Sequence, residues 1–153
     1  MFVVVGGVLF GKDAIVTKAV KGYFHRDRPN WDLHHSFSFP SGHSTSVYFT
    51  LATLFFVVLP AYKYIAYGDE AASSEGSSSS GEDSTFLKSA LDKVTQPASA
   101  LALTVSGGVV TQTGRLLADV HWFSDVMAGM CFGSCGAILL YLGLTRANVI
   151  PRS

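Results

Sequence analysis

Four apolar segments, separated by polar stretches, dominate the pattern of hydrophobic and polar positions along this chain of 153 residues. The segments are Met1 to about Val20, Ser44 to Tyr67, about Pro97 to Gly114, and Trp122 to Leu144. A helix needs roughly 20 apolar residues to cross the hydrocarbon core of a bilayer. The pattern therefore predicts an all-α fold, a multi-spanning bundle of about four membrane helices, in a single membrane-embedded domain over residues 1–150.

The composition is that of a membrane protein rather than a soluble domain. Hydrophobic residues make up 48% of the chain and charged residues only 14%, and the mean hydropathy is +0.34. Eleven basic and eleven acidic residues give a formal net charge of zero, so no overall field would attract nucleic acid. We therefore predict an integral membrane protein whose partners are membrane lipids, with any selectivity for anions produced locally.

A serine-rich stretch separates the second apolar segment from the third. From Gly68 to about Ser84 the chain cannot bury enough apolar surface to order itself, so we predict a flexible loop at about 68–84. Residues Thr85 to Gln96 are predicted to form a short amphipathic helix at the membrane interface. With four crossings, the loop before the second segment and the loop after the third lie on the same membrane face.

The last apolar segment carries small residues at intervals of four, namely Gly129, Gly133 and Ala137. Small residues at this spacing form a flat stripe that lets another helix approach closely. Asp125 begins the same stripe, and an unpaired charge at membrane depth is costly. Its carboxylate is therefore predicted to face the interior of the bundle.

Three polar stretches lie at the segment ends that the topology places on one face. They are Lys21 to Arg28-Pro29, Pro40-Ser41-Gly42-His43, and Arg115 through His121 to Asp125. Arg28 and Arg115 offer planar forks and Lys21 a compact charge, while Ser41 and Gly42 precede a helix, where free N–H groups favour an anion. These five residues are predicted to bind phosphate. Snorkelling of any one cation at a helix end, and plain N-capping by Ser41, are the alternatives.

Two histidines and one aspartate supply the predicted catalytic groups. His121 and Asp125 are four residues apart, which on a helix places them on one face. A carboxylate that accepts from one ring nitrogen leaves the other free to attack phosphorus. His121 is therefore the candidate nucleophile and Asp125 its orienting partner. His43 would protonate the leaving alkoxide and later activate water.

The other histidines, His25, His34 and His35, do not combine with His43 into a helical metal-ligand spacing. We predict no metal site and interpret these three as solvated loop residues. Asp27 and Asp119 are likewise predicted to be surface residues.

The order Lys-x6-Arg-Pro, Pro-Ser-Gly-His and Arg-x5-His-x3-Asp closely resembles the type 2 phosphatidic acid phosphatase and vanadium haloperoxidase superfamily, over about Lys12 to Leu144. The resemblance implies that His121 is the nucleophile, Asp125 its orienting partner and His43 the acid. It assigns phosphate binding to Lys21, Arg28, Ser41, Gly42 and Arg115. It also implies a phosphoric ester hydrolase of the membrane, metal-independent and without a cofactor, whose partner is a lipid phosphate substrate.

Two departures from the family pattern leave alternatives open. Gly114 stands where the family usually has Ser, so one hydroxyl donor to phosphate is missing and weaker activity is expected. The membrane branch commonly has six spanning helices, whereas one apolar segment precedes Lys21, so a domain partial at its N-terminus is expected. The alternatives are a non-catalytic or incomplete member that binds phosphate without turnover, and a vanadium-dependent haloperoxidase, which four apolar spans oppose.

Overall fold

The protein is described here from a computed structural model, which covers residues 15–30, 32, 35–67 and 82–147. Within these residues the chain forms five helices and no strand, so the all-α prediction is confirmed. The helices are α1 (Ile15–Phe24), α2 (Gly42–Tyr67), α3 (Glu82–Val94), α4 (Pro97–Leu117) and α5 (Phe123–Arg146). One stretch of α2, Leu54–Val58, is π-helical.

The helix ends follow from local residue chemistry. Ser41 caps α2, accepting a hydrogen bond from the backbone N–H of Ser44. Pro97 opens α4, a position where its missing N–H costs nothing. Beyond the end of α1, His25 adopts a left-handed backbone with φ 45°, and its N–H reaches the Lys21 carbonyl at 3.1 Å. The chain therefore turns away from α1 at His25.

Two helices, α2 and α5, are long and apolar enough to cross a membrane. The third predicted crossing, α4, is long enough at 21 residues, but Ser106, Thr111 and Gln112 dilute its apolar character. The first predicted segment lies mostly in residues 1–14, outside the described residues, and α1 contains only its end. The prediction of four spans is therefore not confirmed.

The predicted flexible loop at about 68–84 lies largely outside the described residues. Its last three residues are helical, because α3 already begins at Glu82. The short helix expected after the loop therefore starts three residues earlier than predicted. It contacts the C-terminal part of α2 through an ion pair in which Lys63 Nζ lies 2.7 Å from Asp92 Oδ1.

The stripe of small residues on α5 packs directly against α2, as its spacing predicted. A Cβ at Gly129 would lie 2.6 Å from the Ser41 carbonyl oxygen, and one at Gly133 would clash with the Thr45 carbonyl oxygen. Ala137 continues the buried stripe. The two helix backbones approach so closely that the first turn of α2 lies against the first turns of α5.

Replacing Gly133 by Ala is expected to destabilise the protein. The added methyl group would meet backbone atoms of α2, including the Phe49 nitrogen at 2.9 Å, which cannot rotate away as a side chain can. Overpacking of this kind costs about 1–3 kcal/mol, so the Tm in detergent should fall by several degrees, at about 2–4 °C per kcal/mol.

Gly143, on the same helix, is the matched control because a Cβ there meets nothing within 4 Å. Gly143→Ala should hold or raise the Tm, since Ala is the better helix former by about 1 kcal/mol. Equal melting temperatures for the two variants would contradict the close packing of α5 on α2.

Candidate active site

The three polar motifs meet at one end of the bundle, where α1 and α4 end and α2 and α5 begin. The Ser41 N–H donates to the Asp125 carbonyl at 2.9 Å, which joins the second motif to the third. Arg28 Nη1 donates to the Val120 carbonyl at 3.1 Å, which joins the first to the third. The convergence expected from the order of crossings is therefore present.

Within the described residues, the contacts of the three cations predicted to bind phosphate leave their positive charge in place. Lys21 Nζ donates to the Phe37 carbonyl at 2.7 Å, and Arg28 Nε donates to the Ser36 carbonyl at 2.8 Å. Arg115 Nε is buried and has no hydrogen-bond partner among the described residues. Uncharged carbonyls position two of these cations and leave their positive charge available to an anion.

Burial lowers the pKa of all three cations, and repulsion by neighbouring cations adds to this effect at Lys21 and Arg28. Burial, followed by the charge of Arg28, lowers the pKa of Lys21 to about 8. Burial also lowers the pKa of Arg28, with Arg115 acting in the same direction. For Arg115 burial alone lowers the pKa. An anion bound among these groups would offset both the desolvation and the repulsion.

His121 is a buried, neutral imidazole within this cationic cluster. Its pKa is lowered to about 3, first by burial and next by the charge of Arg28. Lys21 and Arg115 act in the same direction, whereas a backbone hydrogen bond with Ser38 opposes them. At neutral pH the ring therefore carries a free nitrogen lone pair, which a nucleophile requires.

His121 and Asp125 lie side by side, although not for the reason that their spacing suggested. His121 precedes α5, which begins at Phe123, so the expectation that both lie on one helix is wrong. The turn before the helix brings His121 Nδ1 to 3.7 Å from Asp125 Oδ2, longer than a hydrogen bond. Within the described part of the chain, Nδ1 is buried without a hydrogen-bond partner. If the two side chains moved slightly closer, His121 Nδ1 could donate a hydrogen bond to Asp125 Oδ2.

Ser41, Gly42 and His43 form the start of α2. The Ser41 hydroxyl oxygen accepts from the Ser44 N–H at 3.4 Å and from the Ser44 hydroxyl at 3.1 Å, so the capping role is present. Its own O–H can still donate to a ligand. Gly42 is the first helical residue, where backbone N–H groups lack intrahelical acceptors. His43 follows in the same turn and is half-buried.

Arg26 belongs to the site and was not predicted as a site residue. Its Nη1 lies 3.0 Å from Asp125 Oδ1 and 2.5 Å from the Ser124 hydroxyl. The guanidinium also lies 5.6 Å from the ring centroid of Trp122. The available signal was a further basic residue two positions before Arg28, which no spacing rule distinguishes from a surface arginine.

The remaining loop residues lie around this site rather than in it. Asp27, Asp119, His25 and His35 are exposed, whereas His34 lies outside the described residues. Within the described ranges, no three His, Cys, Asp or Glu side chains are grouped to hold a metal ion. Gly114 is exposed, and a Cβ there meets nothing within 4 Å, so a side chain at this position would not disturb the packing.

Comparison with protein families gives one match, to the PAP2 superfamily, over residues 2–148. No curated protein and no solved structure matches the chain. The matched region contains all three motifs and every cation, imidazole and carboxylate of the site. The chain therefore belongs to the PAP2 superfamily, the type 2 phosphatidic acid phosphatase superfamily that its three motifs resemble.

Proposed function

We propose that this chain is an integral membrane phosphatase that hydrolyses a lipid phosphate monoester or diphosphate through a phosphohistidine, without a metal. The superfamily consists generally of phosphatases. One observation carries the proposal for this chain. The neutral, buried His121 lies among three cations that lower its pKa and beside the fully buried carboxylate of Asp125. A nucleophile, its orienting group and the charges that bind phosphate are thus adjacent.

Binding begins with the charge of the cluster. Among the described residues of the cluster, four cations, Lys21, Arg26, Arg28 and Arg115, stand against one buried carboxylate, that of Asp125, which pairs with Arg26 and whose charge acts on Lys21 and Arg28. Such an excess of positive charge fits the dianion of a phosphate ester and the charge on its equatorial oxygens in the transition state. The arginine forks would each hold two oxygens, and the start of α2 would add the Gly42 N–H and the Ser41 hydroxyl.

In the first chemical step, Nε2 of His121 attacks phosphorus and the ester P–O bond breaks. The leaving alkoxide takes a proton from His43, which acts as general acid. Asp125 faces Nδ1 of the attacking ring and stabilises the positive charge that develops there. The products of this step are the dephosphorylated lipid alcohol and a phosphohistidine.

In the second step, water attacks the phosphohistidine. His43, now neutral, accepts a proton from the water as the P–N bond breaks. Inorganic phosphate leaves, His121 regains its lone pair and His43 regains its proton. No group is consumed, and the residues present account for every proton that moves.

The surface of the bundle supports a membrane location and a lipid substrate. Only 39% of the most apolar window of α2 and 28% of that of α5 are buried inside the protein, so most of their apolar surface faces outward. Exposed aromatic residues lie at both ends, Tyr62 and Tyr64 at one and Trp122 and Phe123 at the other. Aromatic residues are enriched at the two membrane interfaces, and this pattern supports a position of the cationic cluster at the depth of lipid headgroups.

Phosphate release from purified protein in mixed micelles tests the proposal. With a chelator present, we expect release from phosphatidate or from a polyprenyl diphosphate at a rate well above that from a water-soluble sugar phosphate. Arg146 is exposed on the last turn of α5, at the end of the helix away from the site. The control variant Arg146→Gln should therefore release phosphate at the wild-type rate. Absence of release from every substrate, or release only after a metal is added, would contradict the proposal.

The pH dependence of kcat/KM should report the pKa of Lys21. This pKa is about 8 in the free protein, so Lys21 is charged and able to hold phosphate below that pH and becomes neutral above it. We therefore expect kcat/KM to fall above about pH 8, because kcat/KM reports groups of the free enzyme. Bound phosphate keeps Lys21 protonated, so kcat should hold to higher pH.

Lys21→Arg is the matched variant, since arginine stays charged throughout this range. The fall in kcat/KM should move to higher pH in this variant. If kcat/KM of Lys21→Arg still falls near pH 8, the group that titrates there is not Lys21.

A further inference from the structure

We propose that Arg26 is a positioning residue, whose guanidinium holds the buried carboxylate of Asp125 so that its second oxygen faces Nδ1 of His121. The inference rests on the proposed function and adds to it a residue outside the three motifs. It assigns no contact between Arg26 and the substrate. Its action passes through Asp125 to the nucleophile.

The two oxygens of Asp125 accept hydrogen bonds from different donors. Oδ1 accepts from Arg26 Nη1 at 3.0 Å, whereas Oδ2 accepts from the Trp122 backbone N–H at 2.9 Å. Oδ2 is also the oxygen that lies 3.7 Å from His121 Nδ1. Because each oxygen has its own fixed donor, the carboxylate cannot rotate freely about its last torsion. Arg26 thus fixes the edge of the carboxylate that faces away from His121.

Arg26 is itself held on several sides. Nη1 contacts the Ser124 hydroxyl at 2.5 Å, and the guanidinium lies over the Trp122 ring at 5.6 Å. The backbone beneath it is fixed by Ser38, whose N–H donates to the Arg26 carbonyl at 2.7 Å. Trp122 Nε1 donates to the carbonyl of the next residue, Asp27, at 3.0 Å. Because the backbone of Arg26 is fixed and its guanidinium lies over the Trp122 ring, the side chain loses little conformational entropy when it orients Asp125.

The charge of Arg26 matters as much as its geometry. The Asp125 side chain is 0% exposed, and removing one partner of a buried charge leaves the other uncompensated. The charge of Asp125 also acts on Lys21 and Arg28, but hydrogen bonds to backbone carbonyls hold both side chains in place. Loss of Arg26 should therefore disturb Asp125 and His121 rather than the binding of phosphate.

The test compares Arg26→Gln and Arg26→Lys with Arg28→Gln in the same detergent. For Arg26→Gln we expect kcat to fall about 10- to 100-fold. This is the loss typical of metal sites when a residue that orients a metal ligand is removed, and Arg26 orients Asp125 in a comparable way. KM and the inhibition constant of orthovanadate, a phosphate analogue, should stay close to the wild-type values. Arg26→Lys should lose less than Arg26→Gln, because it keeps a positive charge that can pair with Asp125. Arg28→Gln should instead raise KM and weaken orthovanadate binding.

A double-mutant cycle separates action through Asp125 from an independent role. If Arg26 acts through the carboxylate, Arg26→Gln adds little to the loss that Asp125→Asn causes by itself. Independent effects would multiply instead. Orthovanadate binding by each variant shows that the phosphate site is folded, so a loss of kcat with unchanged binding is not a loss of fold.

Nitrogen-15 NMR of histidine-labelled protein gives a readout that needs no turnover. We expect the neutral His121 ring to carry its proton on Nδ1 in the wild type, with part of the population moving to Nε2 in Arg26→Gln. This shift would support the role of Arg26 even if the wild type released no phosphate, in which case the proposed function alone would fail. Wild-type kcat in Arg26→Gln, multiplicative losses in the double mutant, or weakened orthovanadate binding as in Arg28→Gln would overturn the inference.

Discussion

Replacing His121 by Asn should abolish phosphate release, lowering kcat by about 10⁴-fold or more, as expected when a covalent nucleophile is removed. The residue is buried at 3% exposure, and its neutral ring is surrounded by the cations that would bind phosphate. Asn preserves polarity and much of the volume but offers no nucleophilic nitrogen. Orthovanadate should still bind, because the phosphate-binding cations are unchanged. Phosphate release in mixed micelles and orthovanadate inhibition measure the two effects separately.

His25→Asn is the control for this substitution. His25 is exposed, and Asn tolerates the left-handed backbone that His25 adopts. Its activity should stay within about twofold of the wild type, as for most surface substitutions. If His121→Asn kept its turnover, His121 would not be the nucleophile.

Replacing Asp125 by Asn is expected to have the second largest effect, a fall in kcat of about 10²- to 10⁴-fold. An amide can still occupy the space and accept from the Trp122 N–H, now 2.9 Å from Oδ2. In that orientation its NH₂ group replaces Oδ1 and faces the Arg26 guanidinium. In the reverse orientation the NH₂ group faces Nδ1 and favours the wrong tautomer, and in neither does the amide supply the negative charge that stabilises positive charge on His121. KM should change little, because the phosphate-binding cations stay in place. Steady-state kinetics over a substrate series would separate kcat from KM.

Asp119→Asn is the matched control. Asp119 lies between Arg115 and His121 in the same motif, is exposed, and has a left-handed backbone with φ 52° that Asn also tolerates. Its kinetics should match the wild type within about twofold. Equal losses in the two Asp→Asn variants would mean that Asp125 has no special role at His121.

Much of the helical framework could be predicted from the sequence. The apolar runs located α2 and α5 to within two residues at each end, and the stripe from Asp125 to Ala137 identified the face that packs on α2. Both features depend on residues close in sequence. The number of spans could not be settled in this way, because the polar residues of α4 leave it long enough but less apolar than α2 and α5.

The site was predictable where a motif and a helix end coincide, and less so elsewhere. Ser41 and Gly42 lie at the start of α2 as expected. The pairing of Arg26 with Asp125 joins residues 99 positions apart. It depends on the hydrogen bonds by which Ser38 fixes the loop after α1, and the spacing of residues in the sequence does not reveal these bonds. Likewise, His121 and Asp125 are adjacent through the turn before α5 rather than through helical periodicity.

Trapping the covalent intermediate tests the central claim most directly. Protein mixed with a ³²P-labelled lipid phosphate would be quenched in alkali, where phosphohistidine survives, then digested and analysed by mass spectrometry. We predict labelled phosphate on the peptide that contains His121, no label in His121→Asn, and label that forms slowly and is then lost more slowly than in the wild type in His43→Asn, because His43 serves both chemical steps. Label on another residue, or no label while phosphate is released at the wild-type rate, would contradict the account.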